Sequence, residues 1–315
     1  MTLLEIPLVA LNIDALQLKQ AAAAAAGGQQ YPPSALYLVA TPIGNLADLS
    51  LRAIHVFAIV DAVACEDSRV TGFLLRHLSI EKPLIALHEH NEHSAAQEIV
   101  ARLTRGQRVA YASDAGTPAV SDPGARLVAA VASAGFRVLP IPGASSAVAA
   151  ISVSGDVNAQ GFRVCGFLPS KGKLRNDAIQ SACLDPAAQA WFEAPHRIDA
   201  LAAELALRAP ERHVTICREL TKQFETVATM TAGQIPAWLA ADPRRSRGEF
   251  VVVLHSQAAT ATPDSVTEAA VHTLDILLRE LPVKQAVALA AQISGAPRNA
   301  LYAHALSRRA AHDDE

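Results

Sequence analysis

At residues 36–46 the sequence reads LYLVATPIGNL, a short apolar run that ends in a loop with a proline and a glycine. The run has the length and composition of a buried β-strand. It is followed by a segment in which Leu51, Ile54 and Ile59 share one face of a helix. A strand, a loop and a helix therefore follow one another, and this order repeats along the chain.

Four more apolar runs follow, and each is separated from the next by a segment with helical spacing. The five predicted strands are residues 36–40, 62–65, 84–87, 109–112 and 138–141. Strands that alternate with helices are joined by right-handed crossovers, so their sheet is mostly parallel. The pattern predicts an α/β domain with a parallel five-stranded sheet over residues 34–143.

Polar and turn-forming residues follow every one of the predicted strands. The loops that contain them are residues 41–45, 66–69, 88–91, 113–118 and 142–146. The carboxyl ends of parallel strands share one edge of the sheet, and open α/β sheets bind their ligands there. We therefore predict a binding site at this edge.

These loops lack the glycine pattern of a dinucleotide or ATP site. The first loop has a single glycine, Gly44, and the chain contains no G-x-x-x-x-G-K-S/T segment. Glycine, proline, serine and threonine suit the close approach of the backbone to a compact nucleoside, uncharged or cationic. The loop that begins at Ser113 is longer than a tight turn needs, which favours a role in binding.

The composition excludes several classes of protein. The chain has 315 residues, 51% of them hydrophobic, with 27 Lys and Arg against 30 Asp and Glu, a net charge of −3. So many apolar residues exclude a largely disordered chain, and no apolar run is long enough to span a bilayer. Because the net charge is slightly negative, any nucleic-acid site must be a local basic patch.

Metal binding and disulfides are not expected. The cysteines form no C-x-x-C pair, which argues against zinc and against a disulfide framework and favours a reduced, cytoplasmic protein; they are Cys65, Cys165, Cys183 and Cys217. His88, His90 and His93 have a spacing that suggests a metal site. They run from a strand into a loop without a second cluster of ligands nearby in sequence, so we predict no metal.

Nine motifs in the same order resemble one known family. They are LYLVATPIGNL at 36–46, EDSR at 66–69, LHEHNE at 87–92, SDAGTP at 113–118, SDPG at 121–124, GFLP at 166–169, FEAPHR at 192–197, RELTK at 218–222 and GEF at 248–250. Together they resemble the tetrapyrrole methylases, the class III S-adenosylmethionine-dependent methyltransferases, and within them the enzymes that act on small-subunit ribosomal RNA. The resemblance covers residues 35–256, and it departs from the common pattern at Ala144 and Ala194.

The resemblance implies the two-domain fold of class III methyltransferases. A second α/β domain over residues 144–257 closes the cofactor cleft; its first helix is predicted at 144–158, and its mixed sheet contains strands at 162–166, 190–192, 214–217 and 250–254. A tail over residues 264–312 contains three short helices, predicted at 266–281, 283–293 and 297–307. The tail looks like a helix-turn-helix, which serves nucleic-acid binding or only packing. Residues 1–33, with a low-complexity alanine run, are expected to form a flexible, loosely attached extension with room for one short helix.

The function implied by the resemblance is the S-adenosylmethionine-dependent 2′-O-methylation of a cytidine in 16S rRNA. The partner is then 16S rRNA in the small ribosomal subunit, and the enzyme is a cytoplasmic homodimer without a membrane association. Two alternatives stay open. The same fold also hosts small-molecule methylases of the tetrapyrrole type, and an RNA-binding assembly factor could keep the fold without catalysing methylation.

The resemblance also implies a set of cofactor-binding residues. They are Pro42, Ile43, Gly44, Asp114, Gly116, Thr117, Val120, Ser145, Ser146 and Leu168. Gly116, Thr117 and Val120 are expected nearest to the methionine end of the cofactor. We predict that a bulky side chain at Gly116 removes cofactor binding without unfolding the protein, because the side chain fills space that the ligand needs.

Catalysis and RNA binding have candidates of their own. A ribose hydroxyl is a poor nucleophile, so a base or a cation should assist it; the candidates are Glu66, Asp67, His196 and Lys222. The candidates for RNA contact are Arg69, Lys171, Lys173, Arg175 and Arg197. Simpler roles compete with these: Asp67 or Ser68 suits the cap of the next helix, the basic run at 171–175 suits a solvated turn, and Arg197 suits an internal ion pair.

Overall fold

The computed structural model describes residues 14–88, 91–121, 123–257 and 268–312. The chain divides into two compact units, one up to Ser256 and one from Gln257. The first unit contains two sheets with their helices, and the second contains helices alone within its described residues. The division of the first unit at residue 143 stays a prediction.

The first sheet has five parallel strands among the described residues, in the order β3-β2-β4-β1-β5. These strands are β1 Ala35–Val39, β2 Ala62–Cys65, β3 Leu84–Ala86, β4 Arg108–Ala112 and β5 Arg137–Ile141. The helices of this part are α1 Ala15–Ala26, α2 Leu51–Ile59, α3 Ser68–His77, α4 Glu92–Thr104 and α5 Ala125–Ser133. The predicted parallel sheet is confirmed, and its strand ends differ from the prediction by one residue or less.

The central position of β1 explains why its sequence is apolar throughout. Tyr37 and Val39 pack into one hydrophobic cluster, whereas Leu36 packs into another. A parallel strand that is covered on both faces loses the alternation of apolar and polar residues.

The second sheet is mixed and has the order β6-β7-β10-β8-β9 within the described ranges. Its strands are β6 Phe162–Phe167, β7 Ala188–Glu193, β8 His213–Arg218, β9 Thr226–Thr231 and β10 Phe250–Leu254. Its helices are α6 Ser146–Ser154, α7 Gly172–Leu184, α8 Ile198–Arg208 and α9 Ile235–Ala240. Strand β6 is parallel to β7, whereas the other neighbouring strands are antiparallel.

The sequence prediction missed β9 and made α6 too long. Strand β9 reads TVATMT and is only half-buried, so it lacks the apolar run that marks the other strands. Helix α6 ends at Ser154, because Gly155 adopts a left-handed conformation with φ of +71°.

The second unit contains the predicted helical tail. Its helices are α10 Glu268–Leu278, α11 Val283–Ser294 and α12 Arg298–His312. Leu274, Val287 and Leu301 form a small buried core between them. Gly295 ends α11 with φ of +69°, as the predicted turn between the last two helices requires. Within the parts of the chain that the structure describes, no helix has the length and apolarity of a membrane span.

The expectation of a loosely attached extension is wrong for residues 14–33. Residues 15–26 form α1, which Asp14 caps by accepting a hydrogen bond from the Leu16 amide. Ala22 of α1 is fully buried in the core cluster beside α2. Small alanine side chains let the two helices approach closely, which a reading based on low complexity does not detect. Residues 1–13 lie outside the described residues.

The docking of α1 predicts that the two alanines Ala22 and Ala24 differ in their tolerance of a polar side chain. Ala22→Asn buries an amide and should lower the free energy of unfolding by about 1–3 kcal/mol. Ala24→Asn is the matched control, since Ala24 is exposed on the same helix and the change in helix propensity is equal. Denaturant unfolding measures both variants; equal stabilities would show that α1 is not docked.

Candidate active site between the two sheets

A cavity of about 330 Å³ lies between the loops of the first sheet and the second sheet. This volume is at the lower end of the range of small-molecule sites. The side facing the first sheet consists of Ile43, Ala115, Thr117, Val120, Ser121, Ser145 and Ser146. The opposite side consists of Phe167, Phe192, Glu193, Ala194, Pro195, Cys217, Leu220, Glu249, Phe250 and Val251. The predicted edge of the first sheet therefore does line a cavity.

Two backbone hydrogen bonds position the loop after β4. The Thr41 amide donates to the Gly116 carbonyl at 2.9 Å, and the Gly116 amide donates to the Thr41 carbonyl at 3.1 Å. The Thr117 hydroxyl then donates to the Ala144 carbonyl at 3.0 Å. Ala119 and Ser121 have positive φ angles of 63° and 64° in the same loop, an uncommon conformation that recurs at functional sites.

Glu92 holds the far end of this loop, a role that the sequence analysis missed. Its Oε1 atom accepts hydrogen bonds from the Gly124 and Arg126 amides, both at 3.1 Å, at the start of α5. The Tyr111 hydroxyl donates to the Pro123 carbonyl at 2.7 Å. The carboxylate is buried at the amino end of a helix, where backbone amides favour negative charge.

The structure distributes the ten predicted cofactor residues over several places. Five of them line the cavity: Ile43, Thr117, Val120, Ser145 and Ser146. Two more, Pro42 and Asp114, line a much smaller space beside α3. Leu168 packs in the core of the second sheet instead.

Gly44 and Gly116 serve close contacts within the protein. A Cβ atom on Gly44 would lie 2.6 Å from Cγ of Lys222, so the first loop touches the second sheet's side of the cleft at backbone distance. A Cβ atom on Gly116, whose φ is +84°, would lie 3.3 Å from Cγ2 of Ile43. A bulky residue at Gly116 would therefore disturb the loop itself, so a loss of cofactor binding in such a variant would not locate the ligand, and the Gly116 prediction stays a prediction.

Asp67 has a structural role in the loop after β2. It is the N-cap of α3, as predicted, and accepts from the Arg69 amide at 2.8 Å. Hydrogen bonds from the Arg69 guanidinium lower the pKa of Asp67 to about 2, which makes its carboxylate a weak base. Asp114 accepts from the Asp67 amide at 3.0 Å, and burial raises the pKa of Asp114. Glu66 is half-buried beside them.

Lys222 is a charged group at the cleft. Its Nζ atom lies 2.9 Å from Glu219 and 3.0 Å from Glu249, which lines the cavity. Burial acts to lower the pKa of Lys222, but the hydrogen bonds to the two carboxylates outweigh it and the pKa is raised. Lys222 therefore stays protonated at neutral pH and can act as a cation but not as a base. Glu219 and Thr221 have positive φ angles of 53° and 66° around it.

Arg175 and Arg197 belong to an internal ion-pair network, the simpler role that competes with their predicted contact with RNA. Arg175 Nη2 lies 2.7 Å from Glu193 Oε2, and Arg197 Nε lies 2.7 Å from Glu193 Oε1. The side chains are 10%, 18% and 0% exposed for Arg175, Arg197 and Glu193, respectively. Glu193 itself lines the cavity, so the network holds a residue of the cavity wall in place.

The remaining candidates are exposed. Lys171 precedes α7, and Lys173 pairs with Asp177 at 2.6 Å on the surface of that helix. Arg69 is exposed while it pairs with Asp67. His196 is also exposed, next to the cavity residue Pro195. His90 lies outside the described residues, so the expectation for the three histidines stays a prediction.

Cys217 is the sulfur-containing residue of the cavity lining. The thiol is fully buried, and this burial raises its pKa to about 12. No other side chain in that lining contains sulfur within the described ranges.

Comparison with known proteins identifies the fold and the family. A family model described as Tetrapyrrole (Corrin/Porphyrin) Methylases matches residues 35–236. The chain belongs to the tetrapyrrole methylase family. Methyltransferases of this family use S-adenosylmethionine as the methyl donor, and the chain is accordingly an S-adenosylmethionine-dependent methyltransferase.

Several members of the tetrapyrrole methylase family have more than 40% sequence identity to the chain. A protein of Neisseria meningitidis serogroup B named Ribosomal RNA small subunit methyltransferase I is 46% identical over 272 residues, which cover 86% of this chain and 93% of that protein. A protein of the same name from Haemophilus influenzae is 41% identical over 273 residues, 86% of this chain and 96% of that protein. A second family model, described as RsmI C-terminal HTH domain, matches residues 264–309.

Solved structures of tetrapyrrole methylases share the fold. Uroporphyrin-III-C-methyltransferase from Thermus thermophilus aligns with a TM-score of 0.50 and 22% identity over 70% of this chain and 94% of that chain. Cobalt precorrin-4 methyltransferase aligns with a TM-score of 0.51 and 14% identity over 70% and 94%. At these identities the comparison supports the fold alone.

The residues of the cavity fit S-adenosylmethionine. Ile43, Val120 and Leu220 supply apolar surface, and Thr117 and Ser146 supply hydroxyl groups beside loop backbone. These are the groups that a nucleoside with a polar amino-acid end requires. Glu193 and Glu249 line the cavity as well, with their charges balanced by arginine and lysine partners.

A bulky residue at Val120 should block cofactor binding. Val120 is the better test position because a side chain at Gly116 would disturb the loop itself. Val120→Trp places a large side chain at the cavity from an exposed position and should weaken S-adenosylmethionine binding by about tenfold or more. Val153→Trp is the control, because Val153 is similarly exposed, on α6, but does not line the cavity. Calorimetry measures both, and equal affinities would contradict this location of the cofactor.

The ion-pair network predicts that replacing Arg175 lowers the stability of the protein much more than replacing Lys173. Arg175→Gln leaves Glu193 with one partner in a buried site and should lower the free energy of unfolding by about 3 kcal/mol. Lys173→Gln removes an exposed pair and should cost at most about 0.5 kcal/mol. Denaturant unfolding compares the variants, and a stable Arg175→Gln protein would return Arg175 to the candidates for RNA contact.

Proposed function

We propose that this chain methylates the 2′-hydroxyl of a cytidine in 16S rRNA within the small ribosomal subunit. The observation that carries the proposal is the match to relatives named Ribosomal RNA small subunit methyltransferase I, at 41–46% identity over about 86% of the chain. The helical tail is matched by the model of their C-terminal helix-turn-helix domain, which supports a nucleic-acid substrate.

Two observations weigh against the alternatives. A small-molecule methylase of the tetrapyrrole type shares the fold, but the structures of such enzymes are only 14–22% identical to this chain. A non-catalytic assembly factor has no need of a preserved cofactor site. Here the cavity, the two loop hydrogen bonds and the Lys222 cluster occur together at the predicted edge.

The methyl donor and the residues of the chain have different roles in the proposed reaction. When bound, S-adenosylmethionine supplies an electrophilic methyl group. Positioning of the acceptor hydroxyl contributes much of the acceleration. Lys222 stays protonated and would stabilise negative charge that develops on the ribose oxygen. Glu66 and His196 remain candidates for accepting the hydroxyl proton, whereas the low pKa of Asp67 makes it a poor base.

The RNA contacts in the proposal are Arg69, Lys171 and Lys173, which are exposed. Arg175 and Arg197 act through the position of the cavity wall instead. A homodimer and a cytoplasmic location belong to the proposal as well, supported by the family resemblance. Sedimentation of the purified protein measures the oligomeric state.

The direct test maps ribose methylation on 16S rRNA from cells with and without the gene. We expect one cytidine to lose its 2′-O-methyl group in the deletion strain and to regain it when the gene is returned. Unchanged 16S rRNA combined with methylation of a small molecule by the purified protein would favour the tetrapyrrole alternative. Binding of the subunit without any methyl transfer would favour the assembly factor.

Charge reversal tests the RNA surface. Lys171→Glu with Lys173→Glu should weaken RNA binding and reduce its dependence on salt, because two phosphate contacts are lost. Arg76→Glu with Arg105→Glu changes the net charge equally and is the control. Both arginines lie at the carboxyl ends of helices that run back from the site edge, at the opposite edge of the sheet. Equal salt slopes in the two double variants would contradict this surface.

A further inference from the structure

Strand β6 contains a bulge that changes the direction of Phe167. Val164 pairs with Ala190 of β7, and Phe167 pairs with Phe192, but only Trp191 lies between these two partners. Side chains alternate along a strand, so Val164 and Phe167 would face opposite sides of a regular β6. The extra residue in the bulge places both on the side of Ala190 and Phe192.

Glycine at position 166 makes this bulge possible. Its φ is +68°, a conformation that glycine adopts without strain, and a Cβ atom there would lie 3.0 Å from Oγ of Ser121. Bulges near active sites commonly re-aim one side chain. In β6 the side chain that is re-aimed is Phe167, and it becomes part of the cavity lining.

Phe167 remains largely exposed after this reorientation. It is 60% exposed, although it lines the cavity and its ring lies 5.5 Å from that of Phe192 at an angle of 60°. The bulge thus directs a large aromatic ring to the cavity and leaves it uncovered. Such a ring has a free face for a ligand.

The proposed reaction makes use of such a face. A ribose hydroxyl comes closer to a methyl donor within the cavity when its nucleotide leaves the base stack, and unstacking costs a few kcal/mol. Proteins that bind unpaired RNA bases replace the lost stacking with an aromatic side chain. Lys171 and Lys173 follow Phe167 within six residues and are exposed, so cations suited to the adjoining phosphates are near in the chain.

We propose that Phe167 stacks on the base of the nucleotide whose ribose is methylated, or on its immediate neighbour in the same unpaired strand. This inference rests on the proposed function. It assigns the opening of the cavity to an unstacked RNA base and leaves the interior to the cofactor. The Phe192 ring lies beside the Phe167 ring in a tilted arrangement.

Three variants of Phe167 separate stacking from simple apolar contact, and Phe162→Ala is the matched control. Phe162 is 48% exposed on the same strand but does not line the cavity. The substrate is the small subunit purified from cells that lack the gene. We measure kcat/KM for methylation of this subunit at saturating S-adenosylmethionine, the Kd of S-adenosylmethionine by calorimetry, and sedimentation of each variant.

We expect Phe167→Ala to lower kcat/KM for the subunit by about 5- to 150-fold, the range for one lost base–aromatic stack. The Kd of S-adenosylmethionine should change by less than about threefold, since the inference places the base outside the cofactor's part of the cavity. Phe167→Trp should retain parental activity because it keeps an aromatic face. Phe167→Leu should be as impaired as Phe167→Ala, and Phe162→Ala should behave as the parent.

Several results would overturn the inference. Parental activity in Phe167→Leu would show that apolar contact suffices, and a matching loss of cofactor affinity in Phe167→Ala would place the ring in the cofactor site. A changed sedimentation coefficient would show that the ring belongs to an interface between copies of the chain. If Phe167→Ala is as active as an active parent, only this inference is overturned. If the parent itself methylates no subunit, the proposed function is overturned as well.

Discussion

The two hydrogen bonds between Thr41 and Gly116 are the constraint on which the cavity depends. They join the loop after β1 to the loop after β4, two strands that are neighbours in the sheet. Thr117 follows Gly116 directly and Ile43 lies two residues after Thr41, so backbone geometry fixes the positions of both in the cavity lining. A site built in this way needs few charged side chains, which agrees with a nucleoside ligand whose binding does not depend on a pyrophosphate cradle.

Close approach at glycines completes the enclosure. Gly44 lies against Lys222, and Gly166 lies against Ser121, each with too little room for a Cβ atom without movement of its neighbour. These contacts join the two sides of the cavity within one compact unit. Arginine and lysine partners balance the charges of Glu193 and Glu249, the two carboxylates of the cavity lining. Backbone contacts therefore set the positions of the lining residues, and the ion-pair partners balance the charges of the lining carboxylates.

The sequence predicted the first sheet well because buried parallel strands consist of continuous apolar runs, as in β2 and β4. It predicted the site edge because polar loops after parallel strands must meet there. It could not distinguish Arg175 from Lys173, since a charged residue in a basic run looks the same whether it is buried against Glu193 or exposed. It also missed β9, whose residues are half-buried or exposed, and the docking of α1, whose alanines resemble a low-complexity linker. In each case a partner that is distant in sequence decides the outcome.

The burial of Cys217 has a chemical consequence for an enzyme that handles a reactive methyl group. Thiolates are strong nucleophiles and thiols are weak ones, so an ionised cysteine in the wall would compete with the acceptor for the methyl group. Burial raises the pKa of Cys217 to about 12, so its thiol stays protonated at pH 7. The low polarity around Cys217 thus protects the enzyme from alkylating itself, and a polar residue introduced beside this sulfur would weaken that protection.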